Sequence, residues 1–517
     1  MRTRFRRLPL LALTPLLAAL ALAAWVFASP IGAGPDDDFH LVSAWCAGPT
    51  AAENCALNDA GDAVSAPKAL VESPCFAFEP TRSAACQTDD WTASAAPLVE
   101  TDRANIGGSY PPVYYTATGA FTGSNLQFSA LLMRGFSALL LLGVAVSLFL
   151  LLPAHRRPTV VWAFLLTAVP LGLFLVGTNN PSVWAWIGVA AAPIALVGFY
   201  ETEGRRKLGL GVVFLLSVPM AAGARSDAAI YICIAVGAIA VMEFRHQRRF
   251  YLDSLLPLAA SALALVLFAG AYFARGGASG FTGESFDDPE RGSAVDREEP
   301  GAQPLEGFGL LASNLLNVSR LWTGVFGDRW GLGWLDTSMP ALVPAAAVAA
   351  LVLVGGIGFA RPSLRRALMV AVVVSTLVVL PIAVLQAGGD AVGEQLQPRY
   401  LLPLIALLVV LLTLVPADRP LLLTRVQRFL VIVALSSAQF VALHLNIRRY
   451  ITGVDQSGPN LDARIEWWWW SGFPSPNAVW LLGSLAFTLL VAILVTALSR
   501  PRVSAPSTTD APLAPVR

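Results

Sequence analysis

The sequence predicts an all-α integral membrane protein of about twelve transmembrane helices, with outer loops forming a small cap. Three observations predict it. Of 517 residues, 56% are apolar and only 13% charged, against about 45–50% and about 25% in soluble domains. Mean hydropathy is +0.63. The apolar residues fall into twelve runs, and a spanning helix needs about 20 such residues. A soluble multidomain enzyme and a disordered scaffold are excluded. A net charge of +1 gives no pull on a polyanion, so no nucleic-acid partner is expected.

The elements follow in order. Residues 1–29 hold a basic end (Arg2, Arg4, Arg6, Arg7) and an apolar run from Leu8 to about Ala28. A cleaved signal peptide is the rival reading. The run is longer than a usual signal core, and no small-residue cleavage site precedes Pro30, so a retained first helix is expected. Residues 30–126 form the first outer loop. Residues 127–273 carry spans two to seven, of which 208–223 and 228–243 are short. Residues 274–339 form a second outer loop. Its stretch 283–303 is charged and Gly-rich, the composition of a mobile loop. Apolar spacing from Leu305 to Phe326 fits an amphipathic helix on the outer interface. Residues 340–446 carry spans eight to eleven, 447–476 a Trp-rich outer loop, and 477–498 the last span. Residues 499–517 have the Pro/Ser/Thr-rich composition of a disordered cytoplasmic tail.

Basic residues orient the chain. With the N-terminus inside, more than half of the 35 Lys and Arg fall in the short inner segments. This is the positive-inside pattern, and it places both termini in the cytoplasm of a bacterial plasma-membrane protein. Cysteines agree. Four of the five, Cys46, Cys55, Cys75 and Cys86, lie in the first outer loop, on the oxidising side. Of the three possible connectivities, the local pairs Cys46–Cys55 and Cys75–Cys86 are favoured. A zinc site is the rival, but no CxxC pair exists. Cys233 lies inside a span and reads as a packing residue.

Polar groups at membrane depth are costly and mark candidate sites. Here they gather at the outer level. Asp36, Asp37, Asp38 and His40 follow the first span. Arg134 lies about two turns into the second, and Asn179 and Asn180 end the third. Arg225 and Asp227 lie between the fifth and sixth. Asp336 precedes the eighth, Arg399 and Tyr400 open the tenth, and Arg448 and Arg449 follow the eleventh. Each has a bland alternative: Arg134 snorkelling to headgroups, Arg225–Asp227 a structural ion pair, Arg399 an interfacial anchor, the acids a solvated helix end.

Together they have a chemistry. A carboxylate can deprotonate an acceptor hydroxyl. A planar guanidinium grips phosphate in a forked geometry. A carboxylate and arginines beside lipid are what a glycosyltransferase with a polyprenyl-phosphate-sugar donor requires. Tyr110, in the run YPPVYY, and Trp467 to Trp470 offer rings for sugar faces, although an interfacial aromatic belt explains the tryptophans equally. Asp36, Asp37 and His40 are hard ligands that suit a divalent cation such as Mg or Mn, though nothing demands one. No Walker motif, helix-opening GxGxxG, HExxH or GxSxG is present.

Several segments in order carry a family resemblance: PDDDFH at 35–40, YPPVYY at 110–115, MRGFS at 133–137, NNPS at 179–182, ARSD at 224–227, GWLDTSMP at 333–340, QPRYLLP at 397–403 and HLNIRRY at 444–450. The chain resembles the bacterial membrane-protein family of domain of unknown function 2142. That family is similar to the C-type glycosyltransferases (GT-C), polytopic enzymes that use lipid-phosphate sugar donors. The resemblance implies that Asp36 and Asp37 match an acidic motif of the first outer loop and that His40 closes it. The family pattern reads Pro-Asp-Glu; here Asp37 stands in the glutamate position and reaches one methylene less.

The expected function is therefore a GT-C-like glycosyltransferase. It would move a sugar from a polyprenyl-phosphate carrier to a cell-envelope glycan or protein at the outer membrane face. Asp36 or Asp37 is the expected base, with His40 as its orienter. Arg134, Arg225 and Arg399 are expected on the phosphate, Asp227 behind Arg225, and Tyr400, Tyr110, Asn180 and Asp336 along the pocket. A transporter or flippase for lipid-linked sugars is the rival class, and a glycan polymerase or ligase a third. A transporter predicts midplane charges and paired broken helices, which the sequence does not display.

Overall fold

The computed structural model describes residues 8–49, 51, 55–87, 97–274 and 305–498. The basic N-terminal end, the charged stretch 283–303 and the tail after Arg502 lie outside the described residues.

In chain order the helices are α1 (Thr14–Val26), α2 (Asp37–Cys46), α3 (Val113–Gly119), α4 (Leu126–Leu151), α5 (Arg157–Val176, broken at residues 168–172), α6 (Ser182–Glu201), α7 (Gly204–Ala222) and α8 (Ser226–Glu243). Then come α9 (Arg248–Ala274), α10 (Gly307–Gly324), α11 (Leu342–Phe359), α12 (Leu364–Gly388), α13 (Pro398–Thr413), α14 (Arg425–Ile451) and α15 (Pro476–Leu498).

Each of the twelve apolar runs overlaps one of these helices. Among the described residues, nine are long and apolar enough to cross a membrane: α4, α5, α6, α8, α9, α11, α12, α14 and α15. The other three fall short for identifiable reasons. The apolar part of the first, Leu10–Val26, and α13 are too short. Helix α7 opens with Arg205, Arg206 and Lys207, which shortens its apolar part. Starts are set locally. Asn125 accepts from the Phe128 N–H at 2.8 Å, and Thr424 with Gln427 forms a capping box at α14.

Burial sorts the helices into centre and rim. In α5 and α6, 94% of the apolar window is buried, against 22% in α9 and 28% in α4 and α12. Helix α13 is buried along nearly its whole length. The rim helices turn leucines such as Leu139, Leu150 and Leu258 outward, as lipid-facing helices do. At the centre, small residues let backbones approach: a Cβ on Gly188 of α6 would lie 2.6 Å from the Ser217 carbonyl oxygen of α7. Helix α10 is amphipathic as expected, burying Leu310, Asn314, Val318 and Leu321 while Phe308 and Leu316 stay exposed. It is pinned to α12 through a proline. Pro381 lacks the N–H that would bond the Leu377 carbonyl, and the Trp322 indole N–H donates to that carbonyl instead at 3.0 Å.

Between α1 and α4 the chain forms α2, α3 and a two-stranded antiparallel sheet, β1 (Val64–Pro67) and β2 (Leu98–Thr101), with Val64 opposite Thr101. Disulfides join Cys46 to Cys55 and Cys75 to Cys86. All four thiols of this segment are thereby used, so the zinc reading falls. Cys233 is a free, partly buried thiol in α8.

Candidate functional site

The acidic motif sits where the chain leaves α1 and turns into α2. Asp36 is the residue before the helix, in the left-handed region at φ 61°. Aspartate tolerates that conformation better than most residues, at a cost of about 1 kcal/mol. Its carbonyl accepts from the Phe39 and His40 N–H groups at 3.1 and 2.9 Å, while its side chain does not cap the helix and is free to face elsewhere.

Successive helical residues are about 100° apart, so the three aspartates diverge. Three guanidinium groups surround them, Arg103 lying also 3.9 Å from Asp36. Asp36 pairs with Arg399 at the start of α13. Asp37 lies 3.9 Å from Arg134 of α4. Asp38 pairs with Arg103, from the loop after β2, at 2.6 Å. All three carboxylates are buried. Among the described residues, no three or more His, Cys, Asp or Glu side chains are arranged to hold a metal ion.

Two nodes result. The deep node holds Asp37, Arg134 and Asn179. The Arg134 Nε–H donates to Asn179 Oδ1 at 3.0 Å, and its terminal nitrogens donate to the carbonyls of Ser29 at 2.9 Å, Pro30 at 2.7 Å and Val26 at 3.4 Å. Its donors are committed to the end of α1, which leaves little for a phosphate. Asp37 Oδ2 accepts from the Gly34 N–H at 3.1 Å. Burial pushes the Asp37 carboxyl up to about 7, against the opposing pull of Arg134 and of the Gly34 and Asn179 N–H groups.

The mouth node holds Asp36, Asp38, His40, Arg103, Arg225, Asp227, Arg399, Tyr110 and Tyr400. Arg225 chelates Asp227 at 2.9 and 3.0 Å and lies 4.2 Å from the Tyr400 ring centre and 5.9 Å from that of Tyr110. Arg399 approaches the same Tyr400 ring at 5.1 Å, donates to the Tyr400 hydroxyl at 3.1 Å and to the Pro35 carbonyl at 3.2 Å. His40 is four residues after Asp36 and so on the same face of the first turn. Its Nδ1 is 2.9 Å from the Tyr115 hydroxyl, and Tyr110 stands edge-on at 5.3 Å. Burial, then Arg399, Arg225 and Arg103, holds the imidazole well below its usual range, so the ring stays neutral. Burial also raises Asp38, against the pull of Arg103.

Two further expected residues bond to neighbouring parts of the protein. Asn180 donates to the Pro35 carbonyl at 2.9 Å and fixes the motif's backbone. Asp336 pairs with Arg449 at 2.7 Å, and Arg449 also donates to the carbonyls of Phe76 and Arg82 at 2.6 Å each, tying α14 to the disulfide-bonded segment. The tryptophan run packs on the end of α1, with the Trp469 indole N–H donating to the Phe27 carbonyl at 2.8 Å. Sequence reasoning missed Arg103, a single arginine in a long polar loop with nothing to set it apart, and Tyr115, whose signal was the YPPVYY run.

A small cleft, open at its mouth and with room inside for about one water, adjoins the mouth node. Pro35, Arg399, Gln397, Trp330, Leu171 and Phe174 are among its walls. Two polar atoms of its walls, Arg399 Nε and Gln397 Oε1, lack hydrogen-bond partners, as do Asp36 Oδ1 and His40 Nε2 of the adjoining node. The Asp37 Oδ1 atom is similarly unpartnered in the deep node.

The sequence matches, over residues 19–408, the family model DUF2142, described as a predicted membrane protein. The chain belongs to this family. The match runs from within α1 into α13, so in this DUF2142 protein it takes in the acidic motif, Arg134, Arg225 and Arg399 alike. A search of curated proteins finds no match.

Proposed function

We propose that this DUF2142 protein is a GT-C-like glycosyltransferase of the bacterial plasma membrane. It moves a sugar from a polyprenyl-phosphate donor to a cell-envelope glycan or protein at the outer face. The chain crosses twelve times, through the nine long helices plus α1, α7 and α13. Both termini are cytoplasmic, α10 lies on the outer interface, and the disulfide-bonded segment caps the site.

The observation that carries this reading is the Asp36–Arg399 contact, with Arg225 behind it on the shared Tyr400 ring and a cleft alongside. Asp36 is the base. It takes the proton of the acceptor hydroxyl on Oδ1, its unpartnered oxygen. The acceptor oxygen bonds to the sugar's anomeric carbon as the bond to phosphate breaks, and the electron pair leaves on the phosphate. Arg103, Arg225 and Arg399 offset the charge that develops there. Arg134 and Asp37 support the motif from behind. No metal is needed to account for the charges. The polar groups gather at one end of the bundle, and this favours a transferase over a transporter with a midplane site.

The test is a transfer assay with purified protein and a panel of polyprenyl-phosphate sugars, beside Asp36→Asn and Asp37→Asn. Turnover lost in Asp36→Asn and retained in Asp37→Asn is expected. Turnover that survives both substitutions ends the catalytic assignment. Cysteine labelling in intact cells tests the topology: a cysteine at position 460 should react from outside and one at 205 should not.

A further inference from the structure

The two nitrogens of the His40 ring have fixed and different surroundings. Phe39 and Tyr110 stand edge-on to the ring at 5.4 and 5.3 Å, and Tyr115 of α3 is stacked on it at 6.1 Å. His40 and Tyr115 are 1% and 2% exposed. Helix α3 is seated on the end of α2 by two glycines. A Cβ on Gly119 would lie 2.5 Å from the Ala44 carbonyl oxygen, and one on Gly48 would lie 2.7 Å from the Gly119 carbonyl oxygen. Backbone contact therefore brings the Tyr115 hydroxyl to His40 Nδ1, at 2.9 Å. The other nitrogen, Nε2, is buried and has no partner.

A neutral imidazole carries one proton, and the hydrogen bond made by one nitrogen decides where it sits. A phenol ionises near pH 10, roughly, and is a far stronger donor than a neutral imidazole N–H. An imidazole lone pair takes up a proton at about pH 6.5 and is a far stronger acceptor than a phenol oxygen. The favoured bond therefore runs from the Tyr115 O–H to Nδ1, which leaves the proton on Nε2. His40 lies one turn after Asp36 on the same face of the helix, and each keeps one unmet atom, the donor Nε2–H and the acceptor Oδ1. A single hydroxyl group satisfies both, accepting from Nε2–H through its oxygen and donating its hydrogen to Oδ1. With the proton on Nδ1 instead, Nε2 and Oδ1 would both be acceptors, and one hydroxyl proton could serve only one of them.

We propose that Tyr115 is a positioning residue for the transfer: its hydroxyl donates to His40 Nδ1 and so keeps the proton on Nε2, from which the ring donates to the acceptor hydroxyl that Asp36 deprotonates. His40 keeps its proton throughout. The hydroxyl proton goes to Asp36, and the oxygen is steered with a lone pair toward the sugar. This deepens the transferase reading and rests on it for the role of the hydroxyl, whereas the tautomer stands on the Tyr115–His40 geometry alone.

Nitrogen NMR on the full chain in nanodiscs, labelled with ¹⁵N-histidine, tests it. The chain has 4 histidines, and the signals lost in His40→Gln identify those of His40. The wild type should show a protonated Nε2 and a hydrogen-bonded, unprotonated Nδ1. Tyr115→Phe, which removes only the hydroxyl, should shift the Nδ1 signal and bring in the Nδ1–H form. With polyprenyl-phosphate sugars as donors, Tyr115→Phe should lower kcat about tenfold and leave KM for the donor in place. In a His40→Gln background the side-chain amide keeps an N–H and has no tautomer to set, so the same substitution should cost much less. A wild-type ring protonated on Nδ1, His40 signals unmoved by Tyr115→Phe, or equal losses of kcat in the two backgrounds would overturn the proposal. Melting curves identify a variant that fails to fold, and the wild-type spectrum then decides by itself. Transfer by a protein whose His40 is protonated on Nδ1 removes the Tyr115 role alone. The expected tautomer in a protein that transfers no sugar removes the transferase reading alone.

Discussion

Two adjacent residues of one motif, Asp37 and Asp36, end in different surroundings. Asp37 faces Arg134, whose donors are mostly spent on Asn179 and on carbonyls just after α1. Asp36 faces Arg399 and Arg103, with Oδ1 and Arg399 Nε unmet. Both pairs are buried ion pairs. In the first pair the guanidinium is largely committed and only Asp37 Oδ1 is unmet, so the pair chiefly holds structure. In the second both partners keep an unmet atom, Asp36 Oδ1 and Arg399 Nε, which equips it to meet a ligand, and native proteins seldom leave buried polar atoms unmet without cause.

The sharpest way to break the contrast is Arg134→Met. It strands the carbonyls of Ser29 and Pro30 and leaves Asp37 buried without a counter-charge. A loss of about 3–5 kcal/mol is expected, read as a lower melting temperature or loss of monodisperse protein in size-exclusion chromatography. A well-folded Arg134→Met protein with normal melting would show that the deep node is not structural.

Asp36→Asn comes next. It should lower turnover by about 10²–10⁴-fold, the usual worth of a general base, and, because Arg399 loses a buried counter-charge, lower the melting temperature as well. Asp37→Asn should cost less than about tenfold on the same scale. The reverse order, in two folded variants, would move the base to Asp37.

Acidity separates the nodes more gently. The folded protein keeps the Asp37 proton up to about pH 7, whereas an unfolded aspartate releases it near 3.9. Folding therefore takes up a proton between about pH 4 and 7. The contribution is present at the acid end of that window and is lost as pH rises through 7. Melting temperature measured from pH 5 to 8 should fall with a slope that Asp37→Asn flattens. An unchanged slope would mean that Asp37 ionises normally.

The smallest effect is expected at Arg103. Its side chain is 26% exposed beside Asp38, so water screens the pair. Arg103→Gln should cost at most about 1 kcal/mol of stability and raise KM for the donor more than it lowers kcat. A fall in kcat alone would take Arg103 away from donor binding.

Much of this molecule is dictated locally. Runs of apolar residues must bury their backbone in helices, so the helices, the amphipathic α10 and the local disulfides Cys46–Cys55 and Cys75–Cys86 follow from residue order. So does the level of the site, since charged residues avoid apolar runs and gather at their ends. Partnership does not follow. Asp36 and Arg399 are 363 positions apart, as Asp336 and Arg449 are 113 apart, and no local rule pairs them. The rotation of α2's first turn chose which aspartate meets Arg399 and which meets Arg134, and that rotation is set by packing against α3 and the segment Lys68–Val71. Arg103 and Gln397 acquire meaning only there, because a side chain's chemistry depends on which donors its neighbours have already used.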